Sequence, residues 1–366
     1  MISAVLGRLP YRATGYQMIE SITIKNFRCF ESLTITDCRR VNIIVGDNGA
    51  GKTALLEAMF MALGGSPEIA IRLRQYRGLG GSFAGSPRDV EDAMWGGYFY
   101  RLDSRRPILV ILSGDGPEAR RLSMSRSQDE LLVPLSDDAR DDYGSSTPIA
   151  FVWTDSTGQD HRAVPQATSE GLKISPSNED LPNFFLFSAT HVVSSAENAA
   201  RFSSLSRERR LPQFLNLFLD EFKWIEDLSI EVIGGAPVIH ATVKNVPEKI
   251  PLNTISGAIN RMVGVMLAIA SRPRSVILVD EVENGIYYKH HQSYLRGLLS
   301  FAQTYDSQLF LSTHSEEFLE ALVSAAGKDV SSLAVWRMEL SESGPVVRQF
   351  SGETLKAGIE MGTEVR

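Results

Sequence analysis

Eight consecutive residues, Gly46-Asp47-Asn48-Gly49-Ala50-Gly51-Lys52-Thr53, have the spacing GxxxxGK[ST] of a phosphate-binding loop. Glycines at these positions permit positive φ and leave room for backbone N–H groups to wrap phosphates, and a following helix points its positive end at them. Lys52 would reach the β- and γ-phosphates, and Thr53 would offer a hydroxyl to Mg²⁺. A second group, Val276-Ile277-Leu278-Val279-Asp280-Glu281, is an apolar run that ends in two acids. There Asp280 would hold the hydrated Mg²⁺ and Glu281 would orient or deprotonate the attacking water. A strand that merely ends in two solvated carboxylates is the competing reading, weakened by the phosphate loop in the same chain.

Other residues carry weaker signals. Ser256-Gly257 opens an apolar helix, with Asn260 and Arg261 a turn later, so it reads as an N-cap with an anion site or as an ordinary cap. His314 sits just past an apolar run, where it could contact a γ-phosphate. His290 and His291 are adjacent, point to different faces of a helix, make a poor metal pair and read as surface residues. Arg28 has two open readings, a nucleotide contact or a contact to the neighbouring strand. The groups Arg72, Arg74 and Arg77, then Arg201, Arg207, Arg209 and Arg210, then Arg272 and Arg274 read as solvated faces, with phosphate backbone as the alternative. Asp89, Glu91 and Asp92 suggest a helix with a wet acidic face before they suggest a metal-dependent nuclease.

The elements that must position these groups follow from periodicity. Ile22 and Ile24, then Leu33 and Ile35, alternate with polar neighbours, which predicts two half-buried strands of an antiparallel layer. Val41, Ile43, Ile44 and Val45 form a strand that leads into the loop. Leu55, Leu56, Met59, Phe60 and Leu63 share one helical stripe, stopped by Gly64 and Gly65. Residues 64–182 are turn-rich, with strands near 107–112 and 149–153 and an acidic run, SDDARDDYGSSTP, and read as a β-rich insertion. A helix near 211–225, strands at 229–233 and 238–243 and an apolar helix at 258–270 follow. The last third alternates strand (276–279), helix (285–305), strand (309–311), helix (316–325) and strand (333–337), the pattern of a parallel sheet covered on both faces. The fold class is therefore α/β.

Composition sets the outer bounds. The 366 residues are 43% hydrophobic and 22% charged, values of an ordinary soluble globular chain. Two cysteines, Cys29 and Cys38, build no disulfide framework and no zinc-ligand spacing, which fits a reducing cytoplasm. The longest apolar stretch in an expected helix, 263–270, falls well short of the ~20 residues that cross a bilayer, so no membrane partner is expected. A net charge of −7 repels nucleic acid overall but leaves a local basic stripe open.

With these motifs in order, the chain resembles the ABC-type ATPase heads of the RecF, SMC and OLD group, families often labelled AAA_15 or AAA_21. SITIKNFRCF is similar to the first strand and its NFR element, NTISGAINRM to the signature, LVDEVENGI to the Walker B strand and D-loop, and LFLSTHS to the strand carrying a switch histidine. The resemblance implies a P-loop NTPase of ABC type with a mostly parallel core sheet, an antiparallel N-terminal β layer and an inserted β-rich and helical lobe. Its expected divisions are a flexible leader (1–17), the first part of the head (18–63), the insertion (64–182) and the rest of the head (183–366). It further implies ATP and Mg²⁺ as ligands, with Lys52, Glu281 and His314 as catalytic groups, Thr53 and Asp280 on the metal, and Asn284 and Gly285, after Glu283, facing a partner subunit. Ser256 and Gly257 would close on the γ-phosphate held by the opposite protomer, so that a homodimer or higher even oligomer forms through the heads. No Q-loop glutamine is assigned.

The favoured function is an ATP-gated sensor or scaffold in anti-phage defence or genome maintenance, working with a separately encoded effector. OLD-type proteins carry a TOPRIM nuclease domain after the ATPase, and the 52 residues beyond His314 are too few for one. A RecF-like repair ATPase that binds DNA directly is the second reading. An ABC transporter's ATP-binding subunit is the third, disfavoured because ISGAIN departs from the LSGGQ form.

Overall fold

A computed structural model describes residues 18–79, 87–114, 120–127, 147–168, 171–174, 181–190, 193–342 and 344–362. The expected leader (1–17) and most of the acidic run lie outside the described residues. In chain order the elements are β1 (Ile19–Phe27), β2 (Phe30–Ile35), β3 (Val41–Gly46), α1 (Lys52–Leu63), α2 (Glu68–Tyr76), α3 (Pro87–Trp95), β4 (Ile108–Gly114), β5 (Arg120–Arg126), β6 (Ile149–Thr154), β7 (Asp160–Ala163), β8 (Gln166–Thr168), β9 (Gly171–Lys173), β10 (Asn183–Phe187), α4 (Ser195–Arg207), α5 (Leu211–Glu221), β11 (Ile225–Ile233), β12 (Ala236–Val243), β13 (Ile250–Pro251), α6 (Leu252–Ile255), α7 (Gly257–Ser271), β14 (Ser275–Val279), α8 (His291–Thr304), β15 (Gln308–Ser312), α9 (Glu316–Ala326), β16 (Leu333–Ser341), β17 (Gly344–Ser351) and α10 (Gly352–Glu360).

The core sheet runs β10-β14-β15-β3-β16-β17, parallel except for β17. Its central strands β14, β15 and β3 are buried on both faces, as a doubly covered parallel sheet requires. Ile43, Ile277, Leu309 and Val335 point into a core shared with α4, α5, α7, α8 and α9, while Ile44, Leu278, Phe310 and Trp336 point into a second core around α1. A second sheet, β2-β1-β4-β5-β6-β7, is antiparallel throughout and covers the far side of α1.

Two expectations change here. The strands of 108–163 extend the N-terminal layer, because β1 pairs with β4 (Ile22↔Leu112) as well as with β2 (Ile22↔Ile35), so layer and insertion share one sheet. Local sequence carries no signal for that long-range pairing. Helix α1 buries every residue except Thr53 instead of one stripe, since a sheet lies on each side of it. Its last carbonyls are satisfied from β5 and β6: Arg120 donates to Ala62 O (2.8 Å) and Gly64 O (2.6 Å), and Trp153 Nε1 donates to Met61 O (3.0 Å). A Cβ on Gly64 would come within 1.8 Å of Ile69 Cδ1, so a larger residue there would require the Ile69 side chain to turn aside.

The side chains of α3 correct the wet acidic face. Asp92 is exposed and pairs with Arg126 (3.4 Å), but Glu91 is buried with Oε2 unpartnered. Burial pushes its carboxyl up to about 7, against the pull of Arg126 and the Ile149 N–H. A carboxyl with a raised folded-state value destabilises the fold as pH climbs from its unfolded value toward 7 and beyond. Glu91→Gln should therefore melt a few degrees higher than the wild type at pH 8 and no higher at pH 4.5, a comparison that thermal denaturation at the two pH values makes directly.

Candidate functional site

The glycine loop joins β3 to α1. Gly46, Gly49 and Gly51 have φ of 136°, 83° and 102°, all in the region that side chains avoid. Space matters as much at two of them. A Cβ on Gly46 would lie 2.1 Å from Met338 O on the neighbouring strand, and one on Gly51 would lie 2.9 Å from the Phe30 ring and 3.0 Å from Cys29 Sγ. Around Gly49 a Cβ would meet nothing within 4 Å, so the crest of the loop is open. Gly46→Ala should cost about 2–4 kcal/mol, because strand and loop must part to admit one methyl; urea denaturation measures it, and a loss under about 0.5 kcal/mol would show that the backbone yields freely.

Lys52 begins α1 and is mostly buried. Its Nζ donates to Gly46 O (2.5 Å) and Asp47 O (2.9 Å), arching back over the loop. Burial pushes the ammonium's pKa down, opposed by Asp280, Glu281, Glu283 and Asp47. Such a cation gains from any anion brought against the loop.

Strands β14 and β3 are not neighbours; β15 lies between them. Ser312, the last residue of β15, bridges the gap. Its hydroxyl donates to Asp280 Oδ1 (2.6 Å) and accepts from Glu281 N (2.9 Å). Thr53 Oγ1 donates to the other oxygen, Asp280 Oδ2 (2.9 Å), so the loop and the acid of β14 are tied directly. From behind, Arg261 of α7 donates to Asp280 O (2.5 Å), and Asp280 N donates to Phe187 O (2.8 Å). Glu281 has φ of 47°, uncommon for a glutamate. The turn is held by Val282 N on Ser312 O (3.0 Å) and Asn284 N on Glu281 O (2.9 Å).

His314 follows this strand and is about half exposed, with its Nδ1 3.1 Å and its backbone N 3.0 Å from Glu283 Oε1. Glu283 is buried to 9% and leaves Oε2 unpartnered. Ser312 and Glu283 are the residues that motif reading did not assign to this cluster. The only signal available was their place, two residues before the histidine and two after the second acid.

A second group lies at the start of α7. Ser256 is an N-cap whose hydroxyl accepts from Ala258 N (3.2 Å). The turn at Gly285 (φ 75°) lies against it, a Cβ there coming 3.6 Å from Ala258 Cβ, and Asn284 donates to Ala189 O (3.3 Å). Ser256, Gly257, Asn284 and Gly285 thus share one surface. Asn260 is structural: it is buried, donates to Val193 O (3.0 Å) and accepts from Asn198 (3.1 Å), which pins α7 to α4.

The basic residues separate as well. Arg28 lies 2.8 Å from Glu57, a buried acid of α1, and its guanidinium stacks 4.9 Å from the Tyr98 ring centroid. Arg77 makes a fork on the same carboxylate at 2.6 and 2.9 Å. Arg72 pairs with Glu68, Arg74 caps Ala93 O, and Arg210 binds Glu208 and Ala270 O. His291 is not a surface residue: it is buried against Phe318 (5.3 Å between centroids) with Nε2 3.1 Å from Ile286 O, because adjacent helical positions diverge by about 100° and one of the pair must face the core. Cys29 and Cys38 are both free thiols.

The donor set suits Mg²⁺: a carboxylate and a hydroxyl in contact beside a loop that is open at its crest. Among the described residues no group of three or more His, Cys, Asp or Glu could hold a metal alone, and Mg²⁺ characteristically uses one or two carboxylates plus substrate phosphates. No helix among the described residues is long and apolar enough to cross a membrane.

Comparison with known proteins agrees with this geometry. A family model described as an AAA domain, AAA_23, matches residues 21–122. An ATP/GTP phosphatase of Helicobacter pylori is 24% identical over 341 residues, covering 83% of this chain and 87% of that protein. A structural maintenance of chromosomes protein 6 of Dictyostelium discoideum is 47% identical over 47 residues, 13% of this chain and 4% of that one. A DNA replication and repair protein RecF of Idiomarina loihiensis is 44% identical over 43 residues, 12% of each chain. The chain is thus similar to an AAA domain over residues 21–122, to an ATP/GTP phosphatase over most of its length, and to RecF and SMC proteins over short segments.

Proposed function

We propose that this head binds Mg-ATP on the loop Gly46 to Thr53, hydrolyses it, and uses the bound nucleotide to close head to head on a second copy. The observation that supports the reading is the continuous chain of hydrogen bonds from Thr53 Oγ1 through both oxygens of Asp280 to Ser312 and the Glu281 backbone, which joins the glycine loop, a hydroxyl–carboxylate pair and a second acid. Lys52 and the loop N–H groups hold the phosphates. Thr53 and Asp280 would hold Mg²⁺, which when bound neutralises charge that develops on the phosphates. Glu281 orients the attacking water and accepts its proton, and Ser312 fixes the Asp280 carboxylate and the Glu281 backbone. His314, held by Glu283, faces solvent beside them and contacts the γ-phosphate. Ser256 and Gly257, with Asn284 and Gly285, form the surface that meets the partner's nucleotide.

The output we propose is a nucleotide-gated sensor or scaffold, in anti-phage defence or genome maintenance, that works with a separately encoded effector such as a nuclease. A second reading, direct DNA binding in repair, is favoured by the short match to RecF. Particle mass decides between nucleotide gating and a fixed assembly. The wild type should show a mass that doubles with ATP and Mg²⁺ and not with ADP, and added duplex DNA should shift it again only under the second reading. A mass indifferent to nucleotide would overturn the gating.

A further inference from the structure

The core sheet has a basic end. Strands β10, β14, β15 and β3 run parallel and all start there, while the glycine loop lies at the other end, about 20 Å away along β3. Four segments meet at these strand starts: 207–210 at the end of α4, 272–274 before β14, 305–307 before β15 and 38–40 before β3. Close contacts tie them together. Arg210 donates to Ala270 O and its guanidinium lies 5.7 Å from the Tyr305 ring centroid, Arg274 N donates to Tyr305 O (2.9 Å), and Arg40 donates to Ala302 O (3.4 Å) and pairs with Asp306 (2.9 Å). The four segments hold seven arginines, no lysine and two acids, Glu208 and Asp306, in a chain whose net charge is −7.

Part of this charge has a structural use. Arg40 and Arg210 satisfy carbonyls in the last turns of α8 and α7, and the two acids pair with the same two arginines. Arg39, Arg207 and Arg209 are exposed and make no ion pair among the described residues. Arg209 and Arg274 also hold φ of 59° and 55°, where glycine or asparagine is the easier residue, so arginine stands at two turns whose backbone disfavours it. With both acids already paired, the end carries a surplus of positive charge, the complement of a polyanion. An all-arginine surface matches phosphate, whose oxygens the planar guanidinium can meet two at a time. None of the exposed residues of these segments is aromatic or a large aliphatic. Stacking on unpaired bases and insertion among lipid chains therefore have no group to supply them, and the backbone of a duplex is the partner that these residues suit.

We infer that this end of the core sheet, centred on Arg39, Arg207, Arg209 and Arg272, is a docking surface for the phosphate backbone of a nucleic-acid duplex, bound without readout of its bases. The inference gives a surface to the direct DNA binding set out above as the second reading and rests on that reading, but it needs neither nucleotide nor a second copy. Duplex and nucleotide occupy opposite ends of one sheet.

The test uses the full chain without nucleotide and a fluorescent DNA duplex of about 20 base pairs, titrated by anisotropy between about 50 and 300 mM NaCl. For the wild type, the logarithm of the association constant should fall against the logarithm of salt with a slope of about −3 or steeper, and scrambling the base sequence should not change it. Arg39→Gln, Arg207→Gln and Arg209→Gln combined should weaken binding about thirtyfold or more at the lowest salt and make the slope shallower by about 2–3, with a melting temperature within about 2 °C of the wild type. The same three positions changed to lysine keep the charge and should keep most of the slope. Arg105→Gln, exposed and distant in the chain from all four segments, should change binding less than about twofold. A duplex that binds the wild type with an affinity and slope that survive the three glutamines overturns the inference and leaves the second reading standing. A wild type that binds no duplex overturns both, and one that binds phosphatidylserine vesicles instead assigns the surface to a lipid headgroup and overturns the inference as well.

Discussion

Glu281→Gln is expected to reduce ATP turnover by about 10²–10⁴-fold while nucleotide stays bound, and to trap the doubled mass in ATP and Mg²⁺. The amide keeps the size and the backbone of the glutamate but cannot accept the water's proton. Asp280 is occupied on both oxygens by Thr53 and Ser312, and Glu283 is buried and engaged through Oε1 with His314, so neither carboxylate is as well placed to accept that proton. The barrier should therefore rise by about 3–5 kcal/mol with little change in the nucleotide's dissociation constant. Single-turnover hydrolysis and equilibrium binding of a fluorescent ATP analogue separate the two quantities. If turnover survives within about threefold, Glu281 is not the base; if affinity collapses with it, the residue holds the ligand instead.

Lys52→Ala should act on the other half of the cycle. The ammonium lies over the loop on the Gly46 and Asp47 carbonyls, and charge-assisted hydrogen bonds to phosphate contribute about 1.5–3 kcal/mol each. Losing the contacts to two phosphates should weaken ATP binding by about 10²-fold or more. Two readouts follow. The rise in melting temperature that ATP and Mg²⁺ give the wild type should vanish at nucleotide concentrations below the new dissociation constant, and no doubling of mass should occur even when Glu281→Gln is added to the same chain. Without nucleotide the variant should melt near the wild type, because removing a buried ammonium relieves its desolvation as it removes its bonds. A variant that still dimerises on ATP would detach the loop from the gating.

Much of the fold was legible because its signals are local. The alternation at Ile22, Ile24, Leu33 and Ile35 reports a sheet with one buried face, and β1 pairs with β2 in the register Ile24↔Leu33. The apolar runs of β3 (broken only by the buried Asn42), β14 and β15 report strands covered on both sides, and all three lie at the centre of the parallel sheet. Glu91, His291 and the stripe on α1 were misread for the opposite reason. Polarity and helical spacing describe one element alone, whereas burial depends on what packs against it, and α1 has a sheet on either side.

The same division holds at the candidate site. Eight contiguous residues between a strand and a helix suffice to specify a glycine loop, since its φ values and the direction of the following N–H groups are set within the segment itself, and the chain by itself determined that much together with the acids that end β14. Which groups surround those acids was decided only by the tertiary structure. The strand order places β15 between β3 and β14, so Ser312, 259 positions beyond Thr53 in the chain, becomes the bridge at Asp280; a buried Glu283 turns His314; and Glu57, inside α1, gathers Arg28 and Arg77, the first of which the sequence left equally open to a nucleotide. Hydrogen bonds between residues hundreds of positions apart leave no periodicity to read, because they are set by which strands lie side by side.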